Sequence, residues 1–308
     1  MSSEHIEDIY PLSPMQQGML FHSIYTPETG VYVEQLNCRL VGSLNVSAFE
    51  RAWQMAVDRN PILRTAFVWE ELDEPVQVVH KQVALPIAQQ DWRTLSSLEK
   101  DSRLKAFLET ERDKGFELSE APLMRLALIH EADDVYRFVW IHHHLLVDGW
   151  SMPLLLDEVF TIYDALNNGK QLKRESARPY RDYIAWIQQQ DQSRAESFWR
   201  DFLKGFRAPS PIPVERLAQE SVDSKADYAT EHILLSQETS DALQNFSRQH
   251  QLTLSTIVQA AWALVLSHYS GEDDVVYGAT VSGRPADLNG AEIMLGLFIN
   301  TLPVRAQI

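Results

Sequence analysis

An apolar run that ends in three consecutive histidines, followed by an Asp-Gly pair and a helix signal, restricts the fold more than any other segment. Residues 135–142 have the alternation and the β-branched and aromatic side chains of a strand, and they follow a similar run at 123–129. Residues 154–166 are apolar on a broad face, with Pro153 in the first turn and Ser151 as a candidate cap. The order of hairpin, tight turn and helix predicts an α/β domain.

Later segments predict the rest of the organisation. Residues 180–203 predict one aromatic-rich helix, and residues 255–269 predict a nearly all-apolar, buried helix capped by Ser255. Three prolines in residues 208–229 predict an exposed loop. A polar break at residues 167–179 predicts a hinge between lobes.

The chain length and charge restrict the class of protein. A length of 308 residues exceeds one ordinary core and predicts two lobes. The formal charge of −16 argues against nucleic acid or an anionic membrane as a partner, since both require a basic face. No apolar run is long enough to span a bilayer, and the polar start predicts no signal peptide. The single cysteine, Cys38, cannot form an internal disulfide, which predicts a reducing, cytoplasmic location.

The histidine segment leaves three interpretations open. Alternate side chains of a strand face opposite ways, so His142 and His144 should share a face while His143 points elsewhere. The imidazoles fit buried structural groups, ligands of a zinc site, or a general base next to the turn at Asp148 and Gly149. A zinc site needs three or four converging ligands, whereas the remaining histidines are scattered singly.

Five segments, in order, resemble the core motifs of condensation domains of nonribosomal peptide synthetases, which belong to the chloramphenicol acetyltransferase-like superfamily. Residues 143–149 (HHLLVDG) match the HHxxxDG signature of these domains. The other matching segments are LSPMQQGML at 12–20, RNPILRTAF at 59–67, YRDYIAW at 180–186 and LGLFINT at 295–301.

The resemblance implies a fold of two chloramphenicol acetyltransferase-like α/β lobes in a V-shaped pseudo-dimer, with a tunnel between them. It implies an N-terminal lobe at residues 1–175 and a partial C-terminal lobe at residues 176–308, because such domains continue further. The implied reaction forms an amide bond between a donor acyl or peptidyl thioester and an acceptor aminoacyl thioester. The implied partners are donor and acceptor peptidyl carrier proteins, whose phosphopantetheine carries the substrates, and an adjacent adenylation domain. No cofactor or metal bound by the domain itself is implied.

The resemblance also assigns roles to individual residues. His144 corresponds to the second histidine of the motif and acts on the acceptor amine, as a base or as a positioning group, with His143 as its structural neighbour. Gly149 brings its backbone near the reacting centre or serves as a turn glycine.

The resemblance implies that Asp148 pairs with a buried arginine. Arg284 is the first candidate for this partner and Arg64 the second.

Rival interpretations share the motif. Epimerisation domains carry the same histidines, and an ester-forming acyltransferase of the superfamily also fits. Heterocyclisation domains usually replace the histidines with aspartates, so this sequence departs from them. A non-enzymatic domain that docks carrier proteins without turnover belongs to a different class. Residues 10–23 resemble condensation domains that accept a D-configured donor residue.

Overall fold

The computed structural model describes residues 5–26, 30–171, 177–206, 210, 212 and 231–308. These form two compact units. The first comprises Met1–Gln190 and Ser282–Ile299, and the second comprises Asp191–Val281 and Asn300–Ile308. The predicted lobe boundary, between residues 175 and 176, lies outside the described residues and stays a prediction. The predicted loop at 208–229 also lies outside them, except for Ser210 and Ile212.

The first unit contains a four-stranded sheet in the order β2-β7-β6-β5. Strands β6 and β7 form the predicted antiparallel hairpin, β2 pairs antiparallel with β7, and β5 runs parallel to β6. The hairpin is therefore confirmed, and it carries the histidines at the end of β7. The strands are β2 (Val33–Val41), β5 (Ile87–Asp91), β6 (Met124–Ala132) and β7 (Val135–His143).

A three-stranded antiparallel sheet in the order β1-β4-β3 completes the strands of this unit. Pro61 fixes the first residue of a 3₁₀ turn, Pro61–Arg64, which leads into β3. The strands are β1 (Ile6–Pro11), β3 (Thr65–Val68) and β4 (Val76–His80).

Helices of the first unit cover these sheets. On α2 the apolar positions recur at helical spacing, and Phe49 and Trp53 pack against Phe138 of β7 at ring distances of 5.4 and 5.5 Å. Burial of each such side chain contributes roughly 1.5–3 kcal/mol. Asn45 caps α2, because its side chain accepts the Ala48 amide. The helices are α1 (Pro14–Tyr25), α2 (Val46–Arg59), α3 (Ser97–Lys114), α4 (Ser151–Asn167) and α5 (Arg181–Gln188).

The prediction of a single helix at 180–203 is wrong, because the structure has two helices there. Helix α5 ends at Gln188 and α6 begins at Gln192. The Asp191 carboxylate accepts the amides of Ser193 and Arg194 at 3.0 and 3.1 Å, so this residue caps a new helix.

The second unit pairs two antiparallel strands with the helices α6, α7 and α8. Its elements are α6 (Gln192–Phe202), α7 (Gln237–Gln249), α8 (Leu254–Ser270), β8 (Asp274–Val281) and β9 (Asn300–Gln307).

The prediction that the apolar helix at 255–269 is buried is wrong. On α8 only Ala263 and Leu266 are buried, and they pack against Val275 of β8, whereas Val258 is 66% exposed. Among the described residues, Val275, Tyr277 and Ala306 of the strand pair and Ile212 cover this stripe of the helix. Thr253, rather than Ser255, is the cap, since its hydroxyl accepts the Thr256 amide.

Across the described ranges, no single helix has the length and apolar character needed to cross a membrane. The pair α7 and α8 meets that measure jointly, although the two helices are bent by 105°.

Candidate active site

Backbone hydrogen bonds fix the position of the end of β7. The His143 amide donates to the Leu123 carbonyl at 3.0 Å, and the His144 amide donates to the Tyr32 carbonyl at 2.8 Å. The Leu146 amide then turns back to the His143 carbonyl at 3.1 Å. Backbone hydrogen bonds therefore hold the histidine segment on both sides, and the turn begins directly after it.

His142 is a buried residue that faces the core. Its ring stacks on Trp140 at 4.4 Å, and its Nδ1 has no hydrogen-bond partner. Burial, with smaller contributions from the two neighbouring histidines, lowers the pKa of His142 to about 3. The ring is therefore neutral at physiological pH.

His143 is also buried, and its tautomer is fixed by its neighbours. The Leu145 amide donates to Nδ1 at 3.2 Å, so this nitrogen carries no proton. The proton of the neutral ring then lies on Nε2, 3.3 Å from the Ser23 hydroxyl oxygen. Burial and the adjacent His144 lower the pKa of His143 to about 3.

His144 differs from both neighbours because the residue is partly exposed, whereas His142 and His143 are buried. Its Nδ1 is buried and has no hydrogen-bond partner. Among the three histidines, His144 is the one that solvent reaches.

Asp148 is fully buried, and protein donors surround its carboxylate. Oδ1 accepts the amide of Ser151 at 2.9 Å and the hydroxyl of Ser151 at 2.8 Å, while Oδ2 accepts the Phe298 amide at 3.0 Å. The Asp148 amide donates to the Gly296 carbonyl at 3.1 Å. Asp148 thus ties the turn to residues 296–298.

The charge partner of Asp148 is Arg284, whose Nη2 lies 3.5 Å from Oδ1. The guanidinium is 7% exposed and lies 4.0 Å above the Phe298 ring. Its other contacts are the Ser151 hydroxyl at 2.8 Å and the carbonyls of Ala291 and Met294. Burial lowers the pKa of Arg284 and Asp148 opposes that effect.

The prediction of Arg64 as the second candidate for the partner of Asp148 is wrong. Its guanidinium binds the Glu7 carboxylate at 2.7 Å and the carbonyls of Val57, His80 and Lys81. These contacts commit Arg64 to β1, α2 and the end of β4, so it is not a partner of Asp148.

Ser151 is a site residue that the sequence interpretation missed, because its position suggested only a helix cap. The structure starts α4 at Ser151, and the hydroxyl instead accepts from Arg284 and from the Gly296 amide at 3.2 Å. The signal was present: a serine three residues after a buried aspartate is placed to bond its carboxylate.

Gly149 has no steric need to be glycine. A Cβ built there meets nothing within 4 Å, and its φ is outside the left-handed region. The backbone conformation therefore does not support the interpretation that the turn requires a glycine at this position. Gly149 leaves open space beside the buried Asp148.

Metal ligands are not grouped in the part of the chain that the structure describes: no three His, Cys, Asp or Glu side chains there could hold an ion together. Cys38 is a free, partly exposed thiol on β2.

Comparison with known proteins covers nearly the whole chain. The family model described as Condensation domain matches residues 6–308. A linear gramicidin synthase protein of Brevibacillus parabrevis is 48% identical over 304 residues, which is 99% of this chain and 6% of that protein. Bacitracin synthase 3 of Bacillus licheniformis is 37% identical over 98% of this chain and 5% of that protein. The chain therefore spans a small part of the curated relatives that it matches.

A solved structure shows the same fold at lower identity. The first condensation domain of the calcium-dependent antibiotic synthetase, in complex with substrate analogue 3a, matches with a TM-score of 0.77 and 18% identity. The match covers 98% of this chain and 70% of that one. The chain therefore belongs to the condensation domain family, whose members in nonribosomal peptide synthetases form peptide bonds by acyl transfer.

Proposed function

We propose that this chain forms an amide bond between a donor acyl or peptidyl thioester and the amine of an acceptor aminoacyl thioester. Both substrates are held on phosphopantetheine arms of peptidyl carrier proteins, and an adenylation domain loads the acceptor carrier. The observation that supports the proposal most is the contrast within one motif. His144 is partly exposed, whereas His142 and His143 are buried and have pKa values of about 3.

In this proposal His144 takes the proton of the attacking amine. An α-amine has a pKa near about 8, so a useful fraction is neutral at cellular pH. The amine nitrogen forms a bond to the thioester carbonyl carbon while His144 Nε2 accepts an amine proton. The tetrahedral species then expels the thiolate by breaking the carbon–sulfur bond, and the imidazolium returns the proton to sulfur. Atoms and charge balance without any further reactant.

The other residues of the motif support this step rather than take part in proton transfer. All of the strong contacts of the Asp148 carboxylate are to protein donors, so we assign it to holding the turn. His143 is neutral, and its two nitrogens are occupied by protein partners, so it keeps the strand end in place. Gly149 gives the substrate room, because no side chain fills the space next to the turn.

Further parts of the proposal come from the resemblance. The V-shaped pseudo-dimer with an incomplete second lobe, the lobe division at 175 and a cytoplasmic location stay predictions. So does the D-configured donor suggested by residues 10–23.

Product analysis by mass spectrometry tests the proposal. The native polypeptide that contains the chain is mixed with a donor carrier bearing an acyl or peptidyl thioester and an acceptor carrier bearing an aminoacyl thioester. We expect an amide product on the acceptor carrier, and none when either thioester is left out. Carrier binding measured alongside separates catalysis from docking. If both carriers bind and no amide forms with any donor, the non-enzymatic docking interpretation replaces the proposal.

A further inference from the structure

Helix α1 contacts both chain neighbours of His144, which are His143 and Leu145. The Ser23 hydroxyl oxygen lies 3.3 Å from His143 Nε2. The Gln16 Nε2 donates to the Leu145 carbonyl at 3.1 Å. The two contacts come from opposite ends of the same helix.

The Ser23 contact has a defined direction. The Ser23 hydroxyl donates its proton to the Met19 carbonyl at 2.8 Å, which leaves its lone pairs to accept from His143. The Leu145 amide already occupies Nδ1 of His143, so the Nε2 proton must go to Ser23. Ser23 is therefore the acceptor that satisfies the buried ring and holds it against Leu145.

The Gln16 contact rests on a buried amide pair. Gln16 and Gln77 are both fully buried and exchange hydrogen bonds of 3.1 and 2.9 Å between their side-chain amides. Gln77 also donates to the Pro11 carbonyl at 3.0 Å, and the Ser13 amide donates to Gln16 at 3.0 Å. The second side-chain amide proton of Gln16 is donated to the Leu145 carbonyl. The Gln16–Gln77 pair therefore connects Leu145, the residue after His144, to the start of α1 and to β4.

We propose that Ser23 and Gln16 of α1 are positioning residues, which hold His143 and Leu145 so that the ring of His144 faces the substrate. The role in the reaction rests on the proposed function, whereas the effect on the His144 ring does not. Hydrogen bonds of this kind restrict the position of a reactive group, and misplacement by about 1 Å can cost about 10²-fold in rate.

Ser23→Ala tests the proposal, because Gln16 also supports Ser13 and Gln77 and its loss would unfold the start of α1. Ser23→Thr keeps the hydroxyl and is the rescue variant. Ser197→Ala is the matched control, since the Ser197 hydroxyl makes the same bond to the carbonyl four residues earlier, at 2.9 Å, on an exposed part of α6.

The first readout is nitrogen NMR of the histidine rings, with His143 and His144 signals assigned from His→Gln variants. We expect Ser23→Ala to shift the signals of both rings, Ser23→Thr to restore them and Ser197→Ala to leave them unchanged. An unchanged His144 signal in Ser23→Ala overturns the proposal, whether or not the protein forms amides.

The second readout is the single-turnover rate of amide formation with both carriers saturating. We expect Ser23→Ala to slow the rate by about 10- to 100-fold at unchanged carrier affinity, with recovery in Ser23→Thr. A rate within about twofold of wild type, or a loss confined to carrier affinity, overturns the positioning role. If wild type and Ser197→Ala form no amide, the proposed function fails, and the NMR readout still decides the positioning role.

Discussion

The backbone amide of Phe298 donates a 3.0 Å hydrogen bond to Oδ2 of Asp148, which lies 150 positions earlier in the chain. This bond joins two of the five motif-like segments and places the Asp148 carboxylate among donors from its own turn and from Phe298. The carboxylate is fully buried in this arrangement, so it has no surface for a substrate.

Removal of the Asp148 carboxylate should therefore destabilise the fold before it affects any reaction. Asp148→Ala leaves the guanidinium of Arg284, only 7% exposed, without its charge partner. We expect a loss of about 3–5 kcal/mol in the free energy of unfolding, measured by urea denaturation.

The matched control for that loss is Asp182→Ala. Asp182 forms an ion pair with Arg178 at 2.8 Å near the surface of the same unit. A surface pair contributes about 0–1 kcal/mol, so this variant should unfold almost as wild type does. Equal losses in the two variants would mean that the buried pair has no special role.

Gly296 should tolerate no side chain. A Cβ at this position would overlap Cδ2 of Tyr180, and that ring is fixed by a 2.6 Å hydrogen bond from its hydroxyl to the Leu297 carbonyl. Gly296→Ala should cost about 1–3 kcal/mol of unfolding free energy or more, or prevent folding. Gly18→Ala is the control with the opposite sign. Gly18 lies exposed in α1 with open space around it, and alanine there should stabilise the helix by about 0.5–1 kcal/mol. Thermal unfolding of both variants checks the pair, and a stable Gly296→Ala protein would contradict the packing seen here.

The elements that carry the site could be predicted from local sequence. The β6–β7 hairpin and the helix after the turn follow from apolar periodicity and turn residues, and Arg284 was the first candidate for the partner of Asp148. Contacts that depend on tertiary packing could not be predicted in this way. Nothing local shows that the Ser151 hydroxyl bonds Arg284, since the two residues are 133 positions apart.

Burial was the least predictable property, because it depends on what the rest of the chain provides. The apolar composition of α8 predicted a core helix, yet only its Ala263 and Leu266 side chains are buried among the residues that the structure describes. The break between α5 and α6 was missed because apolar periodicity hides a cap such as Asp191 inside a helical pattern.

The two buried histidines should make stability depend on pH. The folded-state pKa of His142 is about 3, below the ordinary value near 6.5, so the unfolded chain takes up protons that the folded chain refuses. Stability is thus fully present above about pH 6.5 and is lost as the pH falls toward about 3. His142→Phe keeps a ring beside Trp140 and removes one of the two titrating groups. Urea denaturation between about pH 7 and pH 4 should show a shallower loss in the variant. Identical pH profiles would mean that His142 is accessible to protons in the folded protein.

The role of His144 as the base is tested most directly by the single-turnover rate of amide formation. The rate is compared for wild type, His144→Ala and His142→Phe with loaded donor and acceptor carriers. If His144 takes the amine proton, His144→Ala should slow the step by about 10²- to 10⁴-fold while its unfolding free energy stays near that of wild type. His142→Phe, whose ring is buried on the same strand, should stay within about threefold of wild type. A folded His144→Ala protein that loses less than about tenfold would contradict the assignment of His144 as the base.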